Sequence, residues 1–346
     1  MSKYLINDTQ AMVLRSAVVD MIRSSCQYIK TGNFLFQDTE LIQELEIAME
    51  RGVALFVLSN PKGVDEMPMG RNQEGQVNTH IPNLKKLASN GAHCHFLDDL
   101  HAKFLISDGK DGILMSANFA PTSLRGNLET GILLDKPEAE EMEYVFDILY
   151  SNSDVYMLRG NEEFTQSSRS DSPVDPYLFG RDYLFSQLRL TLGQGNRKKT
   201  NLRDCHIQTL YEDILRIINE AEKYLYIFTW HFKELSHLPE FQRAINHAVS
   251  KGVDVHIHYN CKGRNEDITN REAEMLTTIG CKATCDGINH SKCVISEKDG
   301  IIFTANIDGE GGLKSGFELG CLLSGETLEE ASKHVKSVVN NIDGKS

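Results

Sequence analysis

The segment ERGVALFVLSNPKG at residues 50–63 returns as SKGVDVHIHYNCKG at residues 250–263, an offset of 200 positions. A chain that writes one unit twice is expected to fold as two similar halves, so this repeat constrains the architecture more than any other feature. Each copy reads as a helix end, a glycine stop, an apolar strand and a turn. Upstream of each lies an amphipathic helical pattern, AMVLRSAVVDMIRSS at 11–25 and LYEDILRIINEAE at 210–222. An aromatic-rich strand follows each one, QYIKTGNFLF at 27–36 and KYLYIFTWHF at 223–232. Downstream, NLKKLASNG at 83–91 matches REAEMLTTIG at 271–280, and ten positions after each closing glycine stands a histidine, His101 or His290.

Strands alternating with helices predict an α/β chain of two pseudo-symmetric α/β/α sandwich lobes, each with a mixed, largely parallel sheet. The expected division is a lobe over 1–150, a connector over 151–204 and a second lobe over 205–346. Within the connector, GNEEFTQSSRSDSPVDP (160–176) reads as an exposed polar loop, DYLFSQLRLTLG (182–193) is apolar enough to pack, and GNRKKTNLR (195–203) is a basic run. Such a run is read first as solvated surface and second as substrate-facing.

Composition narrows the class. The chain has 346 residues, 40% of them hydrophobic, which suffices for a sizeable core. No stretch approaches the roughly 18 consecutive apolar residues of a membrane span, and MSKYLINDTQ has no leader-like apolar centre. A soluble, cytoplasmic protein is expected. The 8 cysteines show no framework spacing, which points to reduced thiols. A net charge of -13 argues against a protein basic all over, while leaving room for a local basic cleft.

The chemistry lies in a second doubled feature. HAKFLISDGKDG at 101–112 and NHSKCVISEKDG at 289–300 both carry His, Lys and an acid at one spacing. With a one-residue deletion in the turn the match continues, aligning Asn118 with Asn306 and Glu129 with Glu318. His and Lys two apart on a strand project onto the same face. A Lys ammonium and an Asn amide supply donors for the non-bridging oxygens of a phosphate. Two histidines across one phosphodiester divide the work, one attacking phosphorus and the other protonating the leaving oxygen. A carboxylate on the far ring nitrogen fixes each tautomer. No metal or other cofactor is expected, since the lysines supply the positive charge.

These stretches resemble the paired HxKxxxxD motifs, each with a later Asn, of the phospholipase D superfamily. The resemblance covers both halves and omits only the connector. It implies that His101 and His290 are the catalytic pair, with His101 the expected nucleophile and a phosphohistidine as intermediate. It implies that Lys103, Lys292, Asn118 and Asn306 cradle the phosphate and that Glu129 and Glu318 orient the histidines. Members with one motif must dimerise, whereas this chain holds both half-sites and a monomer should suffice. Glu297 departs from the pattern where the first motif keeps Asp108. In this superfamily that acid supports the fold rather than touching substrate.

Other features are weighed against plainer readings. Lys62 and Lys262 repeat in the NPKG and NCKG turns, as phosphate-steering residues or as turn solvation. Trp230 and His231 are candidates for the cleft wall beside Phe34 and Phe36, although core packing is preferred for the two phenylalanines. His93 and His95, His256 and His258, and Cys281, Cys285 and Cys293 match no common zinc spacing and are read as strand faces and core thiols. For the substrate, nucleic acid is the first expectation. A phospholipid, acted on by a phospholipase or a phosphatidyltransferase of the cardiolipin synthase kind, is the alternative, and an inactive binding subunit is a third. The acidic balance suggests a partner ATPase or helicase that delivers the nucleic acid.

Overall fold

The computed structural model describes residues 3–7, 11–60, 79–153, 155–157, 164–166, 186–193, 206–262 and 265–343. Lys62 and the basic run at 195–203 lie outside these residues, as does most of the polar stretch 160–176.

Strand β1 (Tyr4–Asn7) opens the first half. Then α1 (Val13–Ser24) leads to β2 (Tyr28–Asn33), α2 (Thr39–Glu50) to β3 (Ala54–Ser59) and α3 (His80–Ser89) to β4 (His93–Phe96). Strands β5 (Phe104–Ser107), β6 (Asp111–Met115) and β7 (Glu129–Leu134) follow, then α4 (Lys136–Ser151), β8 (Val155–Met157) and β9 (Phe164–Gln166). The second half runs β10 (Leu188–Leu192), β11 (Ile207–Gln208), α5 (Thr209–Glu220), β12 (Tyr224–Thr229), β13 (Phe232–Lys233) and α6 (Pro239–Ser250). It continues with β14 (Asp254–Asn260), α7 (Glu266–Thr278), β15 (Lys282–Asp286), β16 (Cys293–Ser296), β17 (Gly300–Phe303), β18 (Ile307–Asp308), β19 (Phe317–Leu323) and α8 (Gly325–Asp343).

Local chemistry sets the boundaries. Asp38 caps α2 by accepting from the Leu41 amide at 3.0 Å. Gly52 and Gly252, at φ +92° and +83°, stop α2 and α6 in the left-handed conformation that glycine adopts without strain. These are the two glycines that the repeat marked as stops.

Among the described residues the first sheet has the order β1-β7-β6-β5-β2-β3-β4-β8-β9 and the second β11-β10-β19-β17-β16-β12-β14-β15. The expectation of largely parallel sheets needs correction. Within these two sheets only β2–β3–β4 and β12–β14–β15 run parallel; the motif strands β5–β6–β7 and β16–β17–β19 are antiparallel. Parallel neighbours need a long crossover, which the helices supply, whereas β5 and β6 are joined by a tight turn. Asp108 and Gly109 sit in that turn at φ 53° and 64°, and Lys110 N donates to Ser107 O at 3.0 Å. Two successive residues at positive φ give a turn whose twist matches that of an antiparallel pair. The chain between the halves is also more than a connector, because β8 and β9 extend the first sheet and β10 enters the second beside β19.

One apolar cluster joins both halves: Phe104 and Phe146 from the first meet Phe228 and Phe317 from the second, each at most 1% exposed. Full burial of such a side chain is worth roughly 1.5–3 kcal/mol, so this seam holds the two sheets in fixed register. No helix among the described residues is long and apolar enough to cross a membrane.

Candidate active site

His101 and Lys103 stand in the extended segment just before β5, and His290 and Lys292 in the equivalent segment before β16. Each segment is tied to the opposite half. His101 N and Ala102 N donate to Phe317 O at 3.0 and 3.1 Å, and His290 N donates to Leu128 O at 2.9 Å. Phe317 and Leu128 directly precede Glu318 and Glu129. The backbone bridge therefore sets each histidine beside the other half's carboxylate. His101 Nδ1 lies 2.8 Å from Glu318 Oε1, and His290 Nδ1 lies 2.8 Å from Glu129 Oε1. Sequence spacing gives no sign of this crossing, because a carboxylate downstream of each histidine serves its own half equally well on paper.

Both carboxylates are fixed on their second oxygen. Ser116 Oγ donates to Glu129 Oε2, and Thr304 Oγ1 donates to Glu318 Oε2 at 2.5 Å. Sequence reasoning missed these two hydroxyls. The signal was present in MSAN and FTAN, where a hydroxyl residue stands two places before each aligned Asn. With Nδ1 held by a carboxylate, each ring keeps Nε2 for chemistry.

The lysines are wholly buried. Lys103 Nζ donates to His101 O, and Lys292 Nζ donates to His290 O at 2.7 Å. Burial lowers Lys103 to about 7 and Lys292 to about 8, with Glu318 and Glu129 opposing the fall. Burial also lowers both histidines, His290 to about 4, and again the partner carboxylate opposes. Glu129 is pushed up by burial, but His290 and Lys292 outweigh that and leave it below the usual range. Two ammonium groups thus face two carboxylates in a nearly dry site, and a bound phosphodiester would add one negative charge to this balance. Asn118 and Asn306 are each 9% exposed, and neither side-chain oxygen has a hydrogen-bond partner among the described residues. Their amides are left available to a ligand.

The two half-sites differ in detail. The His101 side chain is 26% exposed and makes a well-aligned hydrogen bond to Glu318. The His290 side chain is 11% exposed, and Lys292 Nζ stands 3.3 Å from its Nδ1 in competition with Glu129.

A cleft of about 560 Å³ opens over His101, Asn306 and Glu318, lined also by Phe34, Asn60, Asp99, Lys233 and the loop 308–316. The core-packing preference for the phenylalanines is half right. Phe36 is fully buried, edge-on to Phe119 at 5.4 Å, whereas Phe34 lines the cleft with its ring 5.5 Å from His101. Trp230 is its counterpart, 5.3 Å from His290. His231 and Lys262 do not reach the cleft and line a small recess beside Trp230. His258 pairs with Asp286 at 3.0 Å, His95 stacks on Tyr150, and Cys293 is in the core, as strand-face and core readings require.

Asp108 sits at the far end of β5, away from the cleft. It accepts from the Cys26, Gln27 and Tyr28 amides at 2.9, 2.8 and 2.9 Å. Glu297 does the same with Glu222, Lys223 and Tyr224 at 2.9, 3.2 and 3.4 Å. In both, burial pushes the carboxyl up and the amides hold it below its usual range. The turn that carries Glu297 is one residue shorter and lacks the left-handed geometry of Asp108. The extra methylene lets the side chain reach the equivalent amides.

The two α/β halves thus place two His, Lys, Asn and Glu sets together, each histidine against the other half's carboxylate. Residues 18–150 match the family described as cardiolipin synthase, PLD-like domain, and the whole chain shares its fold with solved structures. No curated protein sequence matches the chain. Phosphatidylserine synthase from Haemophilus influenzae Rd KW20 is 13% identical with a TM-score of 0.66, over 98% of this chain and 86% of its own. Polyphosphate kinase from Porphyromonas gingivalis is 12% identical with a TM-score of 0.57 over 95% of this chain; the match spans 49% of the kinase, about half its length. A phospholipase D family member, Nuc from Salmonella typhimurium, matches 48% of this chain over 100% of its own at 16% identity and a TM-score of 0.38.

Proposed function

We propose that the protein is a phosphodiesterase that works through a phosphohistidine without a metal ion, and that its substrate is a nucleic acid strand. The observation that carries this reading is the crossed pair, His101 with Glu318 and His290 with Glu129, beside two buried lysines. His101 Nε2 attacks phosphorus, and the bond to the leaving oxygen breaks as His290 gives that oxygen a proton. His290 then takes a proton from water, the water oxygen attacks phosphorus, and the phosphorus–nitrogen bond breaks to return neutral His101. Lys103, Lys292, Asn118 and Asn306 hold the non-bridging oxygens, where charge grows in each transition state. The incoming phosphate anion also favours the proton that His290 needs at the start.

Two observations favour nucleic acid. The cleft lining is polar, with Phe34 its one large apolar side chain among the described residues. Phe34 and Trp230 flank the two histidines as half-buried rings on which a base can stack. A phospholipid is the second reading, supported by the lipid-enzyme descriptions of the matched family and of the phosphatidylserine synthase neighbour. The test is a gel assay on single- and double-stranded DNA and RNA in EDTA, with His101→Ala alongside and phospholipid vesicles in parallel. Cleavage of nucleic acid by the unaltered protein, with an acid-labile phosphoenzyme that His101→Ala loses, is expected. Turnover of vesicles alone would transfer the reading to lipid.

A further inference from the structure

The cleft is asymmetric in a way that the repeat does not require. One wall is the loop from Asp308 to Gly316, where the first half has the unrelated stretch 120–127. Asp308, Glu310, Gly311, Gly312, Ser315 and Gly316 face the cavity from this wall. Asp308 is 9% exposed and tightly held. Its Oδ1 accepts from Glu310 N and Gly311 N at 2.8 and 3.2 Å, and its Oδ2 lies 3.5 Å from His231 Nε2. Lys233 Nζ is 2.8 Å from Glu310 and 3.9 Å from Asp308, so a single ammonium serves two carboxylates. In the first half the aligned positions of His231 and Asp308 hold Leu35 and Ala120. Beside this wall Asn306, also lining the cavity and 9% exposed, leaves its side-chain oxygen unpaired among the described residues.

A wall of fixed acceptors sorts what lies beside the scissile phosphate. Sugar hydroxyls can donate to Asp308 and Glu310, while a further phosphate meets like charge in a half-buried setting. Each such contact corresponds to roughly tenfold to a hundredfold in affinity. The cavity volume of about 560 Å³ suits a group of small-ligand size rather than a strand running through. Resting on the nucleic-acid reading above, we propose that the 308–316 wall recognises a hydroxyl-bearing strand end, so that the enzyme removes terminal nucleotides. His101 lines the cavity, so the terminal nucleoside stays esterified to the phosphorus that His101 attacks. The remaining strand leaves as an alcohol protonated by His290. Water then breaks the phosphorus–nitrogen bond and releases a nucleoside monophosphate, and the strand left behind bears a new hydroxyl end for the next round.

The experiment compares a linear single strand with hydroxyl ends, the same strand with terminal phosphates, and its closed circle, each in DNA and RNA. Bis(p-nitrophenyl) phosphate reports basal chemistry, and Glu310→Gln and Glu310→Lys test the wall. The hydroxyl-ended strand should shorten one nucleotide at a time, the phosphorylated strand at least tenfold more slowly, and the circle should survive. Glu310→Lys should bring the two linear rates to within about threefold of each other, and Glu310→Gln should fall between. Cutting of the circle at the linear rate overturns end recognition while nucleic acid stands as substrate, and an unchanged rate ratio in Glu310→Lys removes the wall from the explanation. If only phospholipid or the small diester turns over, the nucleic-acid reading itself fails, and a protein inert on every diester overturns both.

Discussion

Glu318→Gln is the sharpest test of the crossed site. Glu318 is 1% exposed, and its Oε1 stands 2.8 Å from His101 Nδ1. The glutamine keeps an oxygen for the ring N–H and a contact for Thr304 Oγ1, so shape and much of the tautomer preference survive. The negative charge does not. One unit charge about 4 Å from the imidazolium-like ring, at an effective dielectric near 20, is worth at most about 4 kcal/mol. Partial screening at the cleft mouth reduces that, and a loss of roughly 10²–10³-fold in the step that His101 performs is expected, within the usual span for acid–base groups. Rapid-quench measurement of the acid-labile phosphoenzyme separates the steps. Glu318→Gln, a change in the second half, should slow formation of the adduct on His101 in the first. Glu129→Gln should act on both proton transfers by His290, so that breakdown of the adduct slows as well as its formation. A calorimetric scan of each variant checks that the fold persists. If Glu318→Gln slowed breakdown as well as formation while Glu129→Gln slowed formation alone, each histidine would be served by its own half, and the crossed arrangement would be refuted.

Other consequences can be checked directly. Lys103 and Lys292, at about 7 and 8 when folded, lie below their ordinary value near 10.5. Between those limits the unfolded chain holds protons that the folded one has lost, so stability should rise with pH from about 7 to 10. Lys103→Met should flatten that slope, read as urea midpoint against pH. By the same titration, inorganic phosphate should bind more weakly as pH climbs through 7 to 8, measured by calorimetry. Asp108→Asn should cost about 1–2 kcal/mol in urea unfolding after solvent screening is allowed for, with turnover per folded molecule unchanged. Glu297→Asp, which shortens an arm already at 3.2 and 3.4 Å from two of its amides, should also destabilise. A Cβ on Gly312 would stand 2.1 Å from Asn306 O, so Gly312→Ala should shift Asn306 and lower turnover at least tenfold while the protein still folds.

The halves were legible in the sequence because repetition and the 3.6- and 2-residue periods are local properties. Helices α1, α5 and α7 and strands β3 and β14 form where the pattern places them, and Gly52 and Gly252 end their helices as expected. Strand direction was less legible. The tight turn at Asp108 and Gly109 says that β5 and β6 are antiparallel, but the alternation of helix and strand upstream dominated the reading. The site residues stood out by type and spacing, whereas their pairing did not. It depends on Phe317 and Leu128 accepting from the opposite histidine segment, and contacts between positions some 160 to 220 apart leave no trace in a single sequence. Phe34 illustrates the remaining gap, since an aromatic at a strand end reads as core until its cleft exposure is seen.

A symmetric frame carrying out an asymmetric reaction needs its asymmetry from the surroundings, because the reacting residues are the same twice. One imidazole must be a good nucleophile and the other a ready proton donor. His101 has an aligned carboxylate and an open path to the cleft, which favours attack. His290 is more deeply buried and held to about 4, with an ammonium 3.3 Å from the nitrogen that its carboxylate should command. Once the arriving phosphate has drawn a proton onto it, that ring gives the proton up easily. The residues around the pair differ in the same sense, with His231 and Asp308 standing where Leu35 and Ala120 stand in the other half. On the proposed mechanism the repeated residues carry the reaction, and the unrepeated ones set its direction and the substrate placed across it. The proposal of His101 as nucleophile rests on this open path, since exchanging the roles would make the more deeply buried ring attack.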